Sequence, residues 1–383
     1  MKALVGGKIY TVTKGIIEEG AVLLNEGRIA AVGKNIEIPA GAEIIDCRGC
    51  QIMPGIIDAH THLGISEEGI GEEGWDYNEE ADPVTPAMRA IDGFNPQELG
   101  VADALRGGVT TVMVAPGSAN VVGGQVAVVK TAGSWLDEML VNGYAGMKVA
   151  FGENPKRVYG EQKKSPITRM GTAALLRECL IDAENYRRKK AKDDNWEMDE
   201  GMEAMLLVLE RKVPLRAHAH RADDMLTAIR IAEEFNLRLV LDHGTEGQKI
   251  ADILAEKNIP VVFGPLMTSR SKIELKDRFD STPAVLTQAG VKVAFCTDHP
   301  VLPIQYLNIG AGVAMREGLS EEDTFKALTI NAAEILGVAD RLGSIEAGKD
   351  GDLVVYDGYP LEVASKVVRV MVNGETAFER GEK

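Results

Sequence analysis

Residues 54–62 read Pro54-Gly55-Ile56-Ile57-Asp58-Ala59-His60-Thr61-His62, an apolar run that ends in two histidines spaced two residues apart. Side chains two residues apart on a β-strand point to the same side. His60 and His62 are therefore expected to converge at the C-terminal end of a strand, where two imidazoles can begin a divalent-metal site. So short a motif also fits two half-exposed histidines on an edge strand.

The other four of the six histidines fall in similar positions. His218 and His220 form a second pair spaced two residues apart, after the apolar Val213-Pro214-Leu215. His243 follows Leu239-Val240-Leu241-Asp242, and His299 adjoins Asp298 after Val291-Lys292-Val293-Ala294-Phe295. Polar, metal-binding residue types at successive strand ends are typical of the active face of a (β/α) barrel.

The composition argues against several classes of protein. With 383 residues, 45% of them hydrophobic, the chain is long enough for one large globular domain or two. A formal charge of −16 disfavours nucleic-acid binding, which needs a basic face. No apolar run reaches the ~18 residues that span a bilayer, and no secretory signal is visible. We predict a cytoplasmic protein with a small-molecule substrate and no nucleic-acid or membrane partner, and leave homo-oligomer formation open.

Residues 53–344 alternate between short apolar runs and longer amphipathic stretches. Strand-like runs such as 109–114, 213–218 and 237–242 are separated by helical stretches such as 168–190. This alternation predicts a parallel sheet and, at this length, a (β/α)8 TIM barrel. A doubly wound sheet is the alternative, although the phosphate-binding G-x-G-x-x-G turn of that fold is missing.

The two ends of the chain have a different pattern. Residues 1–52 and 345–383 read as short strands joined by turns, among them the hairpin signal Asn373-Gly374. Neither end has enough strands to be stable alone. We therefore predict that both ends pack together as one small β-sandwich beside the barrel. The charged run from Tyr186 to Glu200 is predicted to be a solvated helix end or loop.

Four motifs in this order resemble the amidohydrolase superfamily, in particular its imidazolonepropionase-like and metal-dependent dipeptidase branch. They are Pro54–His62, Ala217-His218-Ala219-His220, Asp242-His243-Gly244-Thr245 and Cys296-Thr297-Asp298, and the tail 343–354 is also similar. The resemblance covers essentially the whole chain. It implies a metal-bearing (β/α)8 barrel with a small β-sandwich made from both chain ends, which agrees with the pattern above.

The resemblance also implies a role for each motif residue. His60 and His62 match the ligands of barrel strand 1, His218 the ligand of strand 5 and His243 the histidine of strand 6. Asp298 matches the aspartate of strand 8, which in the family binds metal and takes a proton from the attacking water. The implied cofactor is a divalent metal, with zinc expected, as one ion or two.

Lys148 resembles the strand-4 lysine of binuclear members, which is carboxylated so that its carbamate bridges two metals. Glu153 is the alternative bridge, because some relatives use a glutamate there. Mononuclear members lack the bridge and use the strand-6 histidine for substrate, in which case Lys148 is an ordinary lysine at a strand edge.

Three residues are predicted to contact substrate. His220 shares a strand face with His218, so either histidine fits the ligand position and the other enters the pocket. Glu153 and Asn120 lie in polar segments just past strand ends. Lys156 and Arg157 are further candidates for an anionic substrate group, whereas His299 is expected beside the site or in a loop. Ordinary loop positions are the competing interpretation for Asn120 and for the two basic residues.

Together these features predict hydrolysis of a C–N bond in an amide, cyclic amide or dipeptide. A divalent metal would activate water, and Asp298 would accept the proton. A serine hydrolase is disfavoured because no G-x-S-x-G motif is present. The alternatives are a deaminase of a heterocyclic amine on the same metal centre, and a catalytically silent scaffold.

Overall fold

The computed structural model describes residues 1–192 and 196–381. The chain starts with five strands: β1 (Lys2–Tyr10), β2 (Ile16–Asn25), β3 (Arg28–Gly33), β4 (Glu43–Asp46) and β5 (Gln51–Pro54). Eight more strands follow: β6 (Ile56–Thr61), β7 (Val109–Val114), β8 (Val122–Lys130), β9 (Leu140–Ala150), β10 (Leu215–Ala219), β11 (Leu239–His243), β12 (Val261–Phe263) and β13 (Val293–Phe295). The last three are β14 (Leu353–Tyr356), β15 (Val367–Val372) and β16 (Glu375–Glu379).

Helices occupy most of the connections between strands β6 and β13, and three more follow β13. The helices are α1 (Leu99–Gly107), α2 (Leu136–Met139), α3 (Glu153–Glu161), α4 (Arg169–Lys190), α5 (Glu200–Leu209), α6 (Ala222–Glu234), α7 (Ala251–Glu256), α8 (Thr282–Gln288), α9 (Leu307–Arg316), α10 (Glu321–Leu328) and α11 (Ile330–Leu336). Within the described part of the chain, no helix is both long and apolar enough to cross a bilayer. Part of the charged run predicted as a helix end or loop, residues 193–195, lies outside the described residues.

Strands β6 to β13 form an eight-stranded sheet in sequence order, as predicted for a barrel. The barrel closes where β13 meets β6. There the Asp298 amide donates to the His60 carbonyl (3.1 Å), and the His62 amide donates to the His299 carbonyl (2.9 Å). The predicted (β/α)8 class is thereby confirmed, and the closure brings two of the sequence motifs together.

Strand β8 departs from the predicted parallel arrangement, because it runs antiparallel to both β7 and β9. Residues 115–121 connect β7 to β8, and residues 131–139 connect β8 to β9. Such short connections suit antiparallel neighbours, whereas a parallel crossover needs about a dozen residues or more. As a consequence β8 starts at the C-terminal face of the barrel and ends, at Lys130, on the opposite face.

The two chain ends share a second eight-stranded sheet, in the order β16-β15-β14-β5-β1-β2-β3 with β4 beside β1. The ends meet where β14 pairs antiparallel with β5, with Leu353 opposite Pro54. One hydrophobic cluster includes buried side chains from both ends, such as Leu4, Ile52 and Met371. That residues 1–52 and 345–383 act as a separate composite domain stays a prediction, and residues 382 and 383 lie outside the described residues.

Candidate active site

The predicted metal-binding residues converge at the C-terminal face of the barrel. The His60 and His62 Nε2 atoms lie 3.4 and 3.3 Å from the same Asp298 oxygen. Lys148 Nζ lies 3.2 Å from His60 Nε2. His60, His243 and Asp298 offer ligand atoms that all lie within 4.8 Å of one another.

A second group of ligand atoms adjoins the first. His218, His220 and His243 also offer ring nitrogens that lie within 4.8 Å of one another. The ring centroids of His218 and His243 are 4.5 Å apart, and those of His60 and His243 are 5.1 Å apart. His243 therefore belongs to both groups, which gives the site room for one ion or two.

Backbone carbonyls orient two of these imidazoles. The Nδ1–H group of His62 donates to the Ala115 carbonyl (2.7 Å), and that of His243 donates to the Gly264 carbonyl (2.8 Å). This leaves Nε2 of each ring as the free lone pair. His220 Nδ1 shares a hydrogen bond of 2.7 Å with the Thr245 hydroxyl.

His218 differs from its neighbours because both of its ring nitrogens are buried without a hydrogen-bond partner among the described residues. Buried polar atoms are normally satisfied, so an unpartnered buried imidazole needs an explanation. His218 also lines the cavity described below. The predicted role of His218 as a metal ligand, which needs a free lone pair, agrees with this arrangement.

The protonation states favour metal binding. Burial lowers the pKa of His62, lowers that of His243 to about 3, and holds those of His218 and His220 well below the usual value. These rings are therefore neutral at neutral pH, the state in which imidazole binds metal. Burial alone would raise the pKa of Asp298, but the neighbouring His243, His60 and His62 side chains hold it well below its usual range.

Lys148 is fully buried near the end of β9. Burial lowers the pKa of its ammonium group, against the opposing effect of Asp242 and Asp298. A lowered pKa increases the fraction of neutral amine, and the neutral amine is the form that can add CO2 to become a carbamate. This chemistry agrees with the bridging role that the family resemblance implies.

Two of the predicted metal-binding residues have strained backbones. His243 has φ 75° and Asp298 has φ 52°, both in the left-handed region that non-glycine residues rarely adopt. Such conformations cost of order 1–3 kcal/mol each and cluster at functional sites. At Asp298 the unusual backbone accompanies a carboxylate that lies beside both strand-1 histidines.

A cavity of about 370 Å³ opens over these side chains. Its wall includes His60, His62, Lys148, His218, His220 and Asp298. The Tyr77 ring, from the long loop after β6, stacks on His62 with centroids 5.3 Å apart. The size lies at the lower end of the range for ligand pockets, so the site suits a small molecule.

Two of the predicted substrate contacts do not line this cavity. The Asn120 amide donates to the Glu79 carbonyl and the Thr85 hydroxyl, both at 2.8 Å, and accepts from the Tyr159 hydroxyl at 2.7 Å. Asn120 therefore holds two loops together. Glu153 starts α3, where its amide donates to Glu274 Oε1 (2.6 Å), and it is the neighbouring Asn154 that lines the cavity.

Sequence reasoning missed a buried ion pair behind the predicted metal ligands. Arg216 Nη2 donates to Asp242 Oδ1 (2.7 Å) and to the Ala59 carbonyl (2.8 Å). The other Asp242 oxygen lies 3.3 Å from His60 Nδ1. The pair thereby positions His60. The sequence contains one sign of this ion pair, a charged residue within each apolar run. Arg216 precedes His218 by two residues, and Asp242 directly precedes His243.

Comparison with known proteins agrees with this geometry. Residues 51–377 match the model of the Amidohydrolase family. The crystal structure of an amidohydrolase from Thermotoga maritima MSB8 is 50% identical, with 99% of this chain and 100% of that chain covered and a TM-score of 0.97.

Two curated relatives are more distant. Amidohydrolase tasK of Hapsidospora irregularis is 29% identical over 94% of this chain, which spans only 40% of the length of tasK. Imidazolonepropionase of Bacillus cytotoxicus is 25% identical over 97% of this chain and 92% of its own length. The chain belongs to the amidohydrolase family and is a hydrolytic enzyme that acts on carbon–nitrogen bonds.

Proposed function

We propose that the protein hydrolyses an amide, cyclic amide or dipeptide bond of a small molecule with metal-activated water. The observation that carries the proposal is His218, whose unpartnered ring nitrogens lie in the cavity wall within a ring of further metal-type side chains. Amidohydrolases typically depend on a divalent metal, and zinc is the ion we propose here.

The residues present fit such an ion. His60, His62 and Asp298 would hold one ion, and His218 and His243 would hold another, with a carboxylated Lys148 available to both. A bound divalent ion lowers the pKa of its water to about 7 and polarises the substrate carbonyl. Neutral imidazoles and one ionised carboxylate are the donor set that zinc prefers.

Asp298 is the proposed proton carrier. Its depressed pKa keeps the carboxylate ionised at neutral pH, so it can accept a proton from the attacking water. Passing that proton to the leaving nitrogen would release the amine. His220 and Tyr77 are then placed to contact the bound substrate, because both line the cavity next to the ligands.

The cavity wall favours a substrate that carries a carboxylate. Its basic residues are Lys148, Arg157, Lys272 and Arg278, against Glu80 and Asp298 as acids. Arg278 is committed to Thr268 and Asp280, and Lys272 lies 3.3 Å from Glu274. The nearest carboxylate to Arg157 is Glu161, at 3.9 Å. Arg157 is therefore the proposed contact for the substrate anion.

A substrate panel on zinc-loaded and metal-stripped protein tests this proposal. N-acyl amino acids, dipeptides and cyclic amides should be cleaved to amine and carboxylate only by the loaded protein. Each compound is paired with its C-terminal amide, and the free acid should be preferred by ~10-fold or more, since one charged hydrogen bond contributes about 1.5–3 kcal/mol. Arg157→Gln should abolish the preference, whereas Lys156→Gln, which changes a residue outside the cavity wall, should retain it.

Each result of the panel has a defined meaning. Ammonia release from aminated heterocycles, without amide cleavage, would replace the proposal by the deaminase alternative. Turnover that is equal in loaded and stripped protein would contradict the metal-dependent mechanism.

A further inference from the structure

A third group of side chains of metal-binding type lies outside the cavity wall. Glu68, Glu98 and His299 each offer one ligand atom, and these atoms lie within 4.8 Å of one another. Glu98 is 3% exposed and His299 is fully buried, while Glu68 is partly buried. None of the three lines the cavity over the active site.

The group has unmet bonding capacity. Glu98 Oε2 and both ring nitrogens of His299 are buried without a hydrogen-bond partner in residues 1–192 and 196–381. Over the same residues, no lysine or arginine nitrogen forms a salt bridge with Glu68 or Glu98. Two carboxylates and an imidazole that share a largely buried space without a cation are costly unless something compensates them.

Local hydrogen bonds hold Glu98 with one oxygen free. Its Oε1 atom accepts from the Gly100 amide (2.9 Å), as the N-cap of α1, and from the Glu68 amide (3.3 Å). Oε2 is thereby left facing His299. In metal sites, hydrogen bonds to neighbouring groups orient the carboxylates that bind the ion. The bonds to Oε1 would orient Glu98 in the same way.

Gly100 keeps the space between the ligands open. A Cβ atom at this position would lie 2.8 Å from Glu98 Oε2 and also 2.8 Å from His299 Nε2. The backbone of Gly100 is ordinary helix, so the conformation itself does not demand glycine. Because glycine has no side chain, the gap between Glu98 Oε2 and His299 Nε2 stays open.

We propose that Glu68, Glu98 and His299 bind a divalent first-row transition-metal ion, separate from the metal centre at His60 and Asp298. Carboxylate oxygen and imidazole nitrogen suit ions such as zinc and manganese. The ion would join the loop after β6, the start of α1 and the segment after β13. These elements meet at the seam of the barrel, where two backbone hydrogen bonds link Asp298 to His60 in β6 and His299 to His62 just after it. The site would therefore stabilise the seam and fix the segment that carries Asp298.

Anomalous diffraction from zinc-loaded crystals tests the proposal most directly. We expect a peak among Glu68, Glu98 and His299, in addition to any peak near His60 and Asp298. Because the two positions are distinct in the map, loss of the peak at the active site bears only on the proposed function. A missing peak at the second position bears only on this inference.

Metal content provides the second measurement. Glu98→Gln and Gly100→Ala should each contain about one metal ion per chain less than the wild type, since one site is lost. Glu67→Gln is the matched control, because the Glu67 carboxylate accepts from the Asn95 amide (2.7 Å) and lies outside the group. The control should keep the wild-type content, and circular dichroism confirms that each variant is folded. An empty second position in the map, together with equal metal content in all folded variants, would overturn the proposal.

Discussion

Lys130 and Lys148 are both buried lysines on neighbouring strands, yet their surroundings are opposite. Lys130 Nζ donates to Asp350 (2.8 Å) and Asp352 (3.0 Å), and also to the side chain of Asn373. Lys148 Nζ has a single partner, His60 Nε2, with no salt bridge to a carboxylate in the described chain. A buried cation with full pairing serves the fold, whereas an unpaired one is available for chemistry.

The antiparallel course of β8 separates the two lysines. Lys148 lies near the C-terminal end of β9, and Gly124, near the start of β8, is opposite it. Lys130 is the last residue of β8 and therefore lies at the far face of the barrel, against the sheet formed by the chain ends. One end of the barrel is thus fixed by ion pairs, and the other end carries the predicted metal-binding residues.

The largest expected effect comes from removing the partners of Lys130. Deleting residues 349–383 removes β14 to β16 together with Asp350 and Asp352, and leaves β5 without its neighbour β14. We expect a chain that does not unfold cooperatively, because the remaining strands lose their shared core. Urea denaturation followed by circular dichroism checks this outcome, and a soluble, cooperatively folding truncation would contradict it.

Lys130→Met removes the ion pairs but keeps all the strands, so it measures the contribution of the ion pairs alone. Removing one partner of a buried charge group typically costs about 3–5 kcal/mol in the free energy of unfolding, because carboxylates remain buried without a cation. Turnover per folded molecule should not change, since Lys130 is remote from the cavity. Equilibrium unfolding and activity at 25 °C separate the two effects. A loss of activity without a loss of stability would contradict a structural role for Lys130 and indicate a role in catalysis.

Lys148→Met should show the opposite pattern. We expect kcat to fall by ~10²-fold or more, because the metal centre loses its proposed bridge, a group that helps to form the nucleophile. The free energy of unfolding of the metal-free protein should change little, since no ion pair is broken. The activity of the wild-type protein, measured with and without added bicarbonate, tests whether Lys148 forms the carbamate. Retention of kcat within ~10-fold at full metal content would remove Lys148 from the mechanism.

Arg341→Gln provides the smallest effect in the comparison. Arg341 Nη2 lies 2.8 Å from the same Asp350 oxygen that Lys130 contacts, but its side chain is 39% exposed. Water screens such a pair, so the expected cost is about 0–1 kcal/mol. If Arg341→Gln destabilised the protein as much as Lys130→Met, burial would not be what distinguishes the two contacts.

The sequence predicted the parts of this arrangement that rest on local patterns. The histidines at His60, His62, His218 and His243 follow apolar runs, so their positions at strand ends predicted one active face of a barrel. Asp298 was assigned through the family resemblance. The structure brings these residues together, while their role as metal ligands stays a prediction.

Other features depend on contacts between distant segments and could not be read from local patterns. The reversal of β8 depends on which strands pair, and Val122–Lys130 is a buried run that has no periodic signal of its own. Asn120 sits in a polar loop, as predicted, but its hydrogen bonds to Glu79, Thr85 and Tyr159 are set by loop packing. Glu68, Glu98 and His299 are far apart in sequence, so only the closed barrel reveals them as a group.

The most direct test of the proposed mechanism is the turnover number of Asp298→Asn at confirmed metal content. Asparagine keeps the shape and one oxygen ligand but cannot accept a proton near neutral pH. We predict that kcat falls by ~10²–10⁴-fold, the usual contribution of a general base, while thermal stability changes little by comparison. Metal analysis of the same sample excludes a defect that comes from an empty site. An Asp298→Asn protein that retains its metal and turns over a confirmed substrate within ~10-fold of the wild type would contradict the account.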